Sequence, residues 1–212
     1  VKIGVDNLIS LLNIVLPADN ENVVSIMIPN PHDFEDLKKT SETLNKILNM
    51  TILNKEIGGS IKIENFDTGS FWVDFLVGSE PALQMIAGLA FSAAVVYKEI
   101  QKGRKLEEEI KALQLSNKFM KEISEKCKEN SNSIANNEAE FIFKKFYSGE
   151  DNEQVMRISL AIKEISKLYE KGCRILPSIS APKEIAEQFP DFNKLPLIES
   201  RIKKITNKKV KQ

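Results

Sequence analysis

Asp67, Thr68 and Gly69 are the residues whose types could most directly support catalysis. An aspartate in a tight loop can share a proton with a second aspartate, so that one carboxylate activates water while the other acts as the acid. The sequence contains no second Asp-Thr-Gly and no Asp-Ser-Gly. A hydrolase built on Asp67 would therefore need two copies of the chain, each contributing one carboxylate.

The segment Asn65 to Val73, NFDTGSFWV, resembles the catalytic loop of the aspartic proteases. The resemblance implies a catalytic role for Asp67 in a fold that is almost wholly β. About two-thirds of this chain has helical periodicity instead, and Glu64-Asn65 stands where that family has an apolar strand. We interpret Asp67 to Gly69 as a β-hairpin loop with Gly69 at positive φ. An aspartic hydrolase stays as the third hypothesis.

His32 and Asp36 are weak candidates for metal ligands, because they lie one helical turn apart on a predicted helix. Two ligands do not make a metal site, and a histidine near a helix start is commonly solvated. Cys127 and Cys173 are too isolated for a disulfide framework or a thiolate metal site, which is typical of a reducing compartment. We predict no metal, no cofactor and a cytoplasmic location.

The composition disfavours nucleic acid as a partner. The 212 residues include 30 basic and 30 acidic side chains, so no net field attracts the chain to polyanions. The 42% hydrophobic content is sufficient for a large core. Abundant Lys, Asn and Ile are associated with AT-rich bacterial or phage genomes.

The first part of the chain is predicted to be a small α+β head, residues 1–78. Residues 5–16 have an apolar pattern compatible with a helix or a strand, and residues 22–28 form a β-branched run suited to a buried strand. Asn30-Pro31 predicts the start of a helix that reaches about Met50. The alternation across residues 60–77 predicts a β-hairpin, so the sheet should be mostly antiparallel.

The second part, residues 79–212, is predicted to be a helical body. Ser79-Glu80-Pro81 is a strong helix start, and one long helix could continue to about Asn130, with a potential break at Gly103. Helices ending before Gly149 and at Gly172 should follow, and then four prolines that break the chain into short pieces. A last helix around Ile198 to Ile205 and a basic tail complete the prediction. Together the two parts make an α+β fold, a small antiparallel sheet with one covering helix followed by a predominantly helical body.

The apolar run at residues 81–97 suggests either membrane insertion or a helix buried on most sides. It lies at the lower limit for spanning a bilayer and contains Gln84 and Ser92. Further along, residues 106–127 have four-three heptad spacing, with Asn117 at a core position. We expect the small sheet to be unable to cover this helix, so that the chain self-associates through Leu83, Ile86, Leu89, Ala90, Leu106, Ile110, Leu113, Asn117 and Met120.

The leading functional hypothesis is a non-catalytic interaction or assembly protein of bacterial or phage origin. Its partners would be copies of itself or other protein subunits. The first alternative is a membrane-acting effector that inserts residues 81–97, and the second is the aspartic hydrolase with Asp67 acting in a dimer.

Overall fold

The computed structural model describes residues 22–29, 31–67, 71–113 and 117–202. Within these ranges the protein is an α+β structure, a small antiparallel sheet with a mostly helical body, as predicted. The predicted element at residues 5–16 and the basic tail beyond Ile202 lie outside the described residues. The predicted boundary between head and body, at Ser79, stays a prediction.

The sheet has four antiparallel strands in the order β2-β3-β1-β4. Their bounds are Val23–Met27 for β1, Lys62–Asp67 for β2, Trp72–Leu76 for β3 and Arg174–Pro177 for β4. β2 and β3 form the predicted hairpin, and Val73 of β3 and Val77, the residue after it, are buried in the core. β4 was not predicted, and it brings a segment from far along the chain to the free edge of β1.

Helix α1, Phe34–Thr51, contributes a buried stripe that includes Leu44, Ile47 and Leu48 to the shared core. Its cap is Asp33, whose carboxylate accepts from the Asp36 backbone N–H at 2.8 Å. The sequence interpretation placed this cap at Asn30, three residues too early. Asp33 is the residue with the extended backbone and the oxygen that an N-cap requires.

Helix α2, Glu80–Ala112, begins where the sequence predicted, since the Ser79 hydroxyl accepts from the Ala82 N–H at 3.2 Å. It ends at Ala112, so the prediction of one helix reaching about Asn130 was wrong. Helix α3, Asn117–Phe146, starts five residues later. The sequence missed the turn because no glycine or proline marks it.

Helices α2 and α3 form an antiparallel helical hairpin with a constant register. A Cβ built on Gly88 would lie 3.8 Å from Ile142 Cδ1, and one built on Gly103 would lie 3.1 Å from Cys127 Cβ. Moving a number of residues toward the turn along α2 therefore corresponds to moving the same number of residues toward the start of α3. Gly103 therefore does not break the helix; it permits the close approach of its partner.

Helix α4, Asn152–Glu170, is the third member of the helical body and contacts both arms of the hairpin. Asp151 caps it, and Gly172 ends it, as predicted, with a φ of 98°. Tyr169 is buried on α4, and its hydroxyl donates to the Ala90 carbonyl of α2 at 3.1 Å. This bond fixes α4 against the first half of α2.

The last described residues form short pieces, as the four prolines predicted. Helix α5 spans Lys183–Ala186, and a 3₁₀ helix spans Phe192–Leu197. The predicted last helix was expected to include Ile198 and Ile202, but residues 198–202 are irregular. This irregular segment runs back across α2, where the Lys98 ammonium donates to the Ile198 carbonyl at 2.5 Å.

Candidate functional site

The hairpin has two halves with different surroundings. We call residues 80–103 and 128–146 the base, and residues 104–113 and 117–127 the tip. Leu83, Ile86, Leu89 and Ala90 lie in the base, and all four are buried within the chain itself. Their cover comes from α3 and α4, together with the sheet and α1, in one shared hydrophobic cluster. This burial removes the reason for assigning these four residues to an interface.

Small residues of α2 are what allow α3 to approach so closely in the base. Gly88 faces Ile142, and Ala87, Ala93 and Ala94 are completely buried. The helix that these small residues admit belongs to the same chain.

The cover from α4 stops at the boundary between base and tip. Glu170 is the last residue of α4, and its carboxylate lies 2.9 Å from the Arg104 guanidinium of α2. Beyond Arg104, the two arms of the hairpin run on without a third helix among the described residues. Two packed helices leave part of the apolar seam between them exposed to solvent, because each helix covers the other from one side only.

The predicted heptad residues line this seam. The register sets Leu106 level with Ser124, Ile110 level with Met120, and Leu113 level with Asn117. Ile110 is buried, whereas Leu106 is 42% exposed and Leu113 is 70% exposed. Heptad residues are therefore present on both arms, and they face each other across the seam between α2 and α3.

Opposite charges flank the two arms of the tip. Glu107, Glu108 and Glu109 follow one another on α2, while Lys118 and Lys121 lie on α3. In the part of the chain that the structure describes, none of these five side chains forms an ion pair within 4.0 Å. The α2 arm also carries Arg104, Lys105 and Lys111, and the α3 arm also carries Glu122 and Glu125, so each arm of the tip has side chains of both signs.

A buried carboxylate lies in the base, and sequence reasoning missed it. Glu138 of α3 is 2% exposed, and Ser92 of α2 donates to its Oε2 at 2.7 Å. Its Oε1 has no hydrogen-bond partner among the described residues. A signal existed, since Glu138 occupies a position in the stripe Ala135, Ala139 and Ile142, which is otherwise apolar.

Arg201 lies close to this carboxylate and is held by other groups. Its guanidinium packs 3.7 Å from the Phe91 ring centroid and donates to the Gln188 carbonyl at 3.1 Å. Burial lowers the pKa of Arg201, and the charge of Glu138 acts in the opposite direction. Arg201 is therefore an electrostatic neighbour of Glu138 rather than its hydrogen-bonding partner.

Two buried groups on and after α4 are structural. Burial raises the pKa of the Cys173 thiol to about 11 and raises that of Tyr169 further above its ordinary value. A thiol in such surroundings stays protonated and is a poor nucleophile. Cys127, in contrast, is half-buried on the tip.

The candidate catalytic residue and the candidate metal ligands lie on different elements. Asp67 ends β2, where its backbone is in register with Trp72 of β3, so it flanks the hairpin loop. His32 is exposed, and its backbone N–H, not its ring, contacts the Asp36 carboxylate at 3.5 Å. Across the described ranges, no group of three His, Cys, Asp or Glu side chains is arranged to hold a metal ion.

Helix α2 has the length and apolar composition of a membrane span, with a mean hydropathy of 1.3 in its most apolar window. In this structure 61% of that window is buried. The core helix of a globular protein meets the same criteria, so the finding by itself is weak evidence for insertion.

Comparison with known proteins gives one informative similarity. The chain is 31% identical over 180 residues to a protein of Bacillus subtilis (strain 168), named "Uncharacterized protein YqaP". The matched region covers 82% of this chain and 58% of the relative, so the chain spans a little over half the length of the protein it matches. No family model matches the chain, and no solved structure does.

Proposed function

We propose that the protein is a non-catalytic, cytoplasmic assembly protein of bacterial or phage origin that self-associates through the hairpin tip. The observation that carries the proposal is the exposed seam at Leu106 and Leu113, which lies beyond the end of α4. In the base, the same type of seam is covered by a third helix. A second copy of the chain would supply the missing cover at the tip.

A four-helix bundle is the simplest arrangement that covers both seams. Two antiparallel helical pairs pack their apolar seams together and exclude water from both at once. Ile110 and Met120 would lie at the centre, with Leu106, Leu113 and Asn117 around them. Asn117 at a core position favours one register, because its amide needs a partner.

The charges favour a two-fold axis parallel to the hairpin. This symmetry places α2 of one copy beside α3 of the other at the same height. The glutamates at 107–109 on α2 of one copy then lie on the helix beside Lys118 and Lys121 on α3 of the other, and the contact occurs twice. Complementary charges of this kind fix orientation more than they add affinity.

A charge exchange tests this arrangement. One variant carries Glu107→Lys and Glu109→Lys, and the other carries Lys118→Glu and Lys121→Glu. Each variant alone sets like charges against each other at both contacts, whereas a mixture restores two attractive contacts. We expect sedimentation velocity to give monomers for each variant, dimers for the mixture, and weaker association of the mixture in about 1 M salt.

Two results would overturn the proposal. The first is a wild-type chain that stays monomeric at every concentration. The second is dimerisation of both variants as strong as that of the wild type, which would place the contact elsewhere. Exchanging the charges of Lys183 and Glu187, on and beside α5, is the matched control and should leave association unchanged.

Membrane insertion of residues 81–97 is the second candidate, favoured by the length and hydropathy of α2. Insertion would require α2 to leave the contacts that bury Leu83 and Leu89. Co-sedimentation with anionic and neutral liposomes tests it, and the absence of binding under both conditions would reject it. The Asp67 hydrolase stays a prediction that no observation favours.

A further inference from the structure

Glu138 lies beside a cavity that the proposed assembly does not use. The cavity has a volume of about 900 Å³ and opens between α2 and α3, under the irregular segment 198–202. Val95 and Ile134 form apolar walls, while Asn130 and Asn137 contribute amides. A second, much smaller pocket of about 30 Å³ lies on the other side of Glu138, next to Ser92 and Arg201.

The charged groups of the large cavity favour a cation. Three carboxylates and two ammonium groups line it: Glu99, Glu138 and Glu199, with Lys98 and Lys102. Both ammonium groups are already engaged, Lys98 with the Ile198 carbonyl at 2.5 Å and Lys102 with Glu99 at 2.6 Å. The buried group still without a partner is an acceptor, Glu138 Oε1.

A buried carboxylate oxygen without a donor is unfavourable, because burial removes the water that would solvate its charge. A ligand that brings a positively charged N–H donor would compensate for that loss. A water in the small pocket could also donate to Oε1, and Arg201 beside it offsets part of the carboxylate's charge, so a water is the competing occupant.

The cover over Glu138 is irregular rather than helical. Ile198, Glu199, Ser200 and Ile202 contact the large cavity, and Arg201 contacts the small one. This segment is held by the bond from Arg201 to the Gln188 carbonyl at 3.1 Å, by the contact of Arg201 with the Phe91 ring and by the buried side chain of Ile198. Because Oε1 is buried, a ligand in the cavity reaches it only when this segment shifts.

We propose that this cavity binds a small primary alkylamine, whose ammonium group donates to Glu138 Oε1 and whose alkyl chain contacts Val95, Ile134 and Ile198. The inference is independent of self-association, since every contact lies in the base and in the segment that covers it.

The probe is n-butylammonium, with 1-butanol and butyrate as analogues that replace the cation by a neutral group and by an anion. A ligand of this size reaches about millimolar affinity, so titration by NMR should extend to roughly 100 mM. We expect saturable shifts with butylammonium for the wild type. Glu138→Gln, which keeps the shape of the side chain, should weaken binding at least about tenfold. Glu199→Gln, at the exposed rim, should leave binding within about twofold.

Ile134→Trp gives a second route if Glu138→Gln fails to fold. The larger side chain occupies the part of the cavity wall that the alkyl chain would contact, without replacing the carboxylate, and it should weaken binding. The proposal is overturned if butylammonium produces no saturable response, which is the result expected when water alone serves Oε1. Equal affinity for Glu138→Gln, or equal affinity for butyrate, would overturn it as well.

Discussion

The base and the tip of the helical hairpin are built from the same two helices, yet only the base has its seam covered. In the base, Leu89 is 1% exposed because α4 closes the seam that α2 and α3 share. In the tip, Leu113 lies on the corresponding seam and is 70% exposed. The difference arises from the length of α4, which ends at Glu170 beside Arg104.

The comparison teaches that apolar sequence alone does not identify an interface. The most apolar part of α2 is buried inside the chain, whereas the less apolar heptad beyond Gly103 leaves Leu106 and Leu113 exposed. The length of α4 decides which part of the seam is covered, because α4 ends at Glu170 beside Arg104.

The largest effect is expected at the centre of the base. Leu89→Ala should lower the free energy of unfolding by about 2–5 kcal/mol, because it leaves a cavity among packed helices. Leu113→Ala, the matched change at the tip, should alter it by less than about 0.5 kcal/mol in dilute protein. Urea unfolding followed by circular dichroism measures both. Equal losses at the two positions would contradict the distinction between base and tip.

The two cysteines should report the same contrast. Cys127 is half-buried on the tip, whereas Cys173 is buried and its pKa is raised to about 11 by that burial. At pH 8 we expect a maleimide reagent to label Cys127 at least about a hundredfold faster than Cys173, since only the thiolate reacts and Cys173 must first be exposed. Mass spectrometry of single-cysteine variants gives both rates. Comparable rates would mean that the base opens as readily as the tip.

A smaller effect should follow from the bond that fixes α4 to α2. Tyr169→Phe removes the hydroxyl that donates to the Ala90 carbonyl at 3.1 Å while keeping the ring contact with Tyr97. We expect a loss of about 1–2 kcal/mol in the free energy of unfolding, measured in urea. Tyr97→Phe is the control. An equal loss of unfolding free energy in that variant would show that the bond to the Ala90 carbonyl adds no stability beyond that of another tyrosine hydroxyl.

The smallest effects concern the two glycines of α2. Gly88→Ala should raise the free energy of unfolding by up to about 1 kcal/mol, because alanine favours helix and the added Cβ meets Ile142 at an ordinary 3.8 Å. Gly103→Ala should gain less or lose stability, since its Cβ would lie 3.1 Å from Cys127 Cβ. Thermal unfolding compares the pair. A larger gain at Gly103 would show that the hairpin is looser there than the structure indicates.

Much of the fold could be predicted from the sequence, because local signals and tertiary structure agree there. The alternation before and after the β-hairpin loop, the caps at Ser79 and Asp151, and Gly172 at the end of α4 each act within a few residues. The antiparallel sheet and the helical body follow from these signals.

Other features depended on contacts between distant segments. The turn after Ala112 has no glycine or proline, and the heptad pattern continues across it, so a straight helix and a hairpin give the same periodicity. β4 is only four residues long and becomes a strand by pairing with β1. Glu138 stands out because of two features that the sequence does not show. Its partner Ser92 is 46 residues away, and the cavity beside it is assembled from several segments.

The most direct test of the account is the molar mass in solution, measured by light scattering after size exclusion, of the wild type and of the double variant Leu106→Glu/Leu113→Glu. Leu89 would be unsuitable for this test, since a charge there would unfold the base. The account predicts twice the chain mass for the wild type, one chain mass for the variant, and the same circular dichroism for both. A wild type of single-chain mass, or a folded variant that still has double mass, would contradict it.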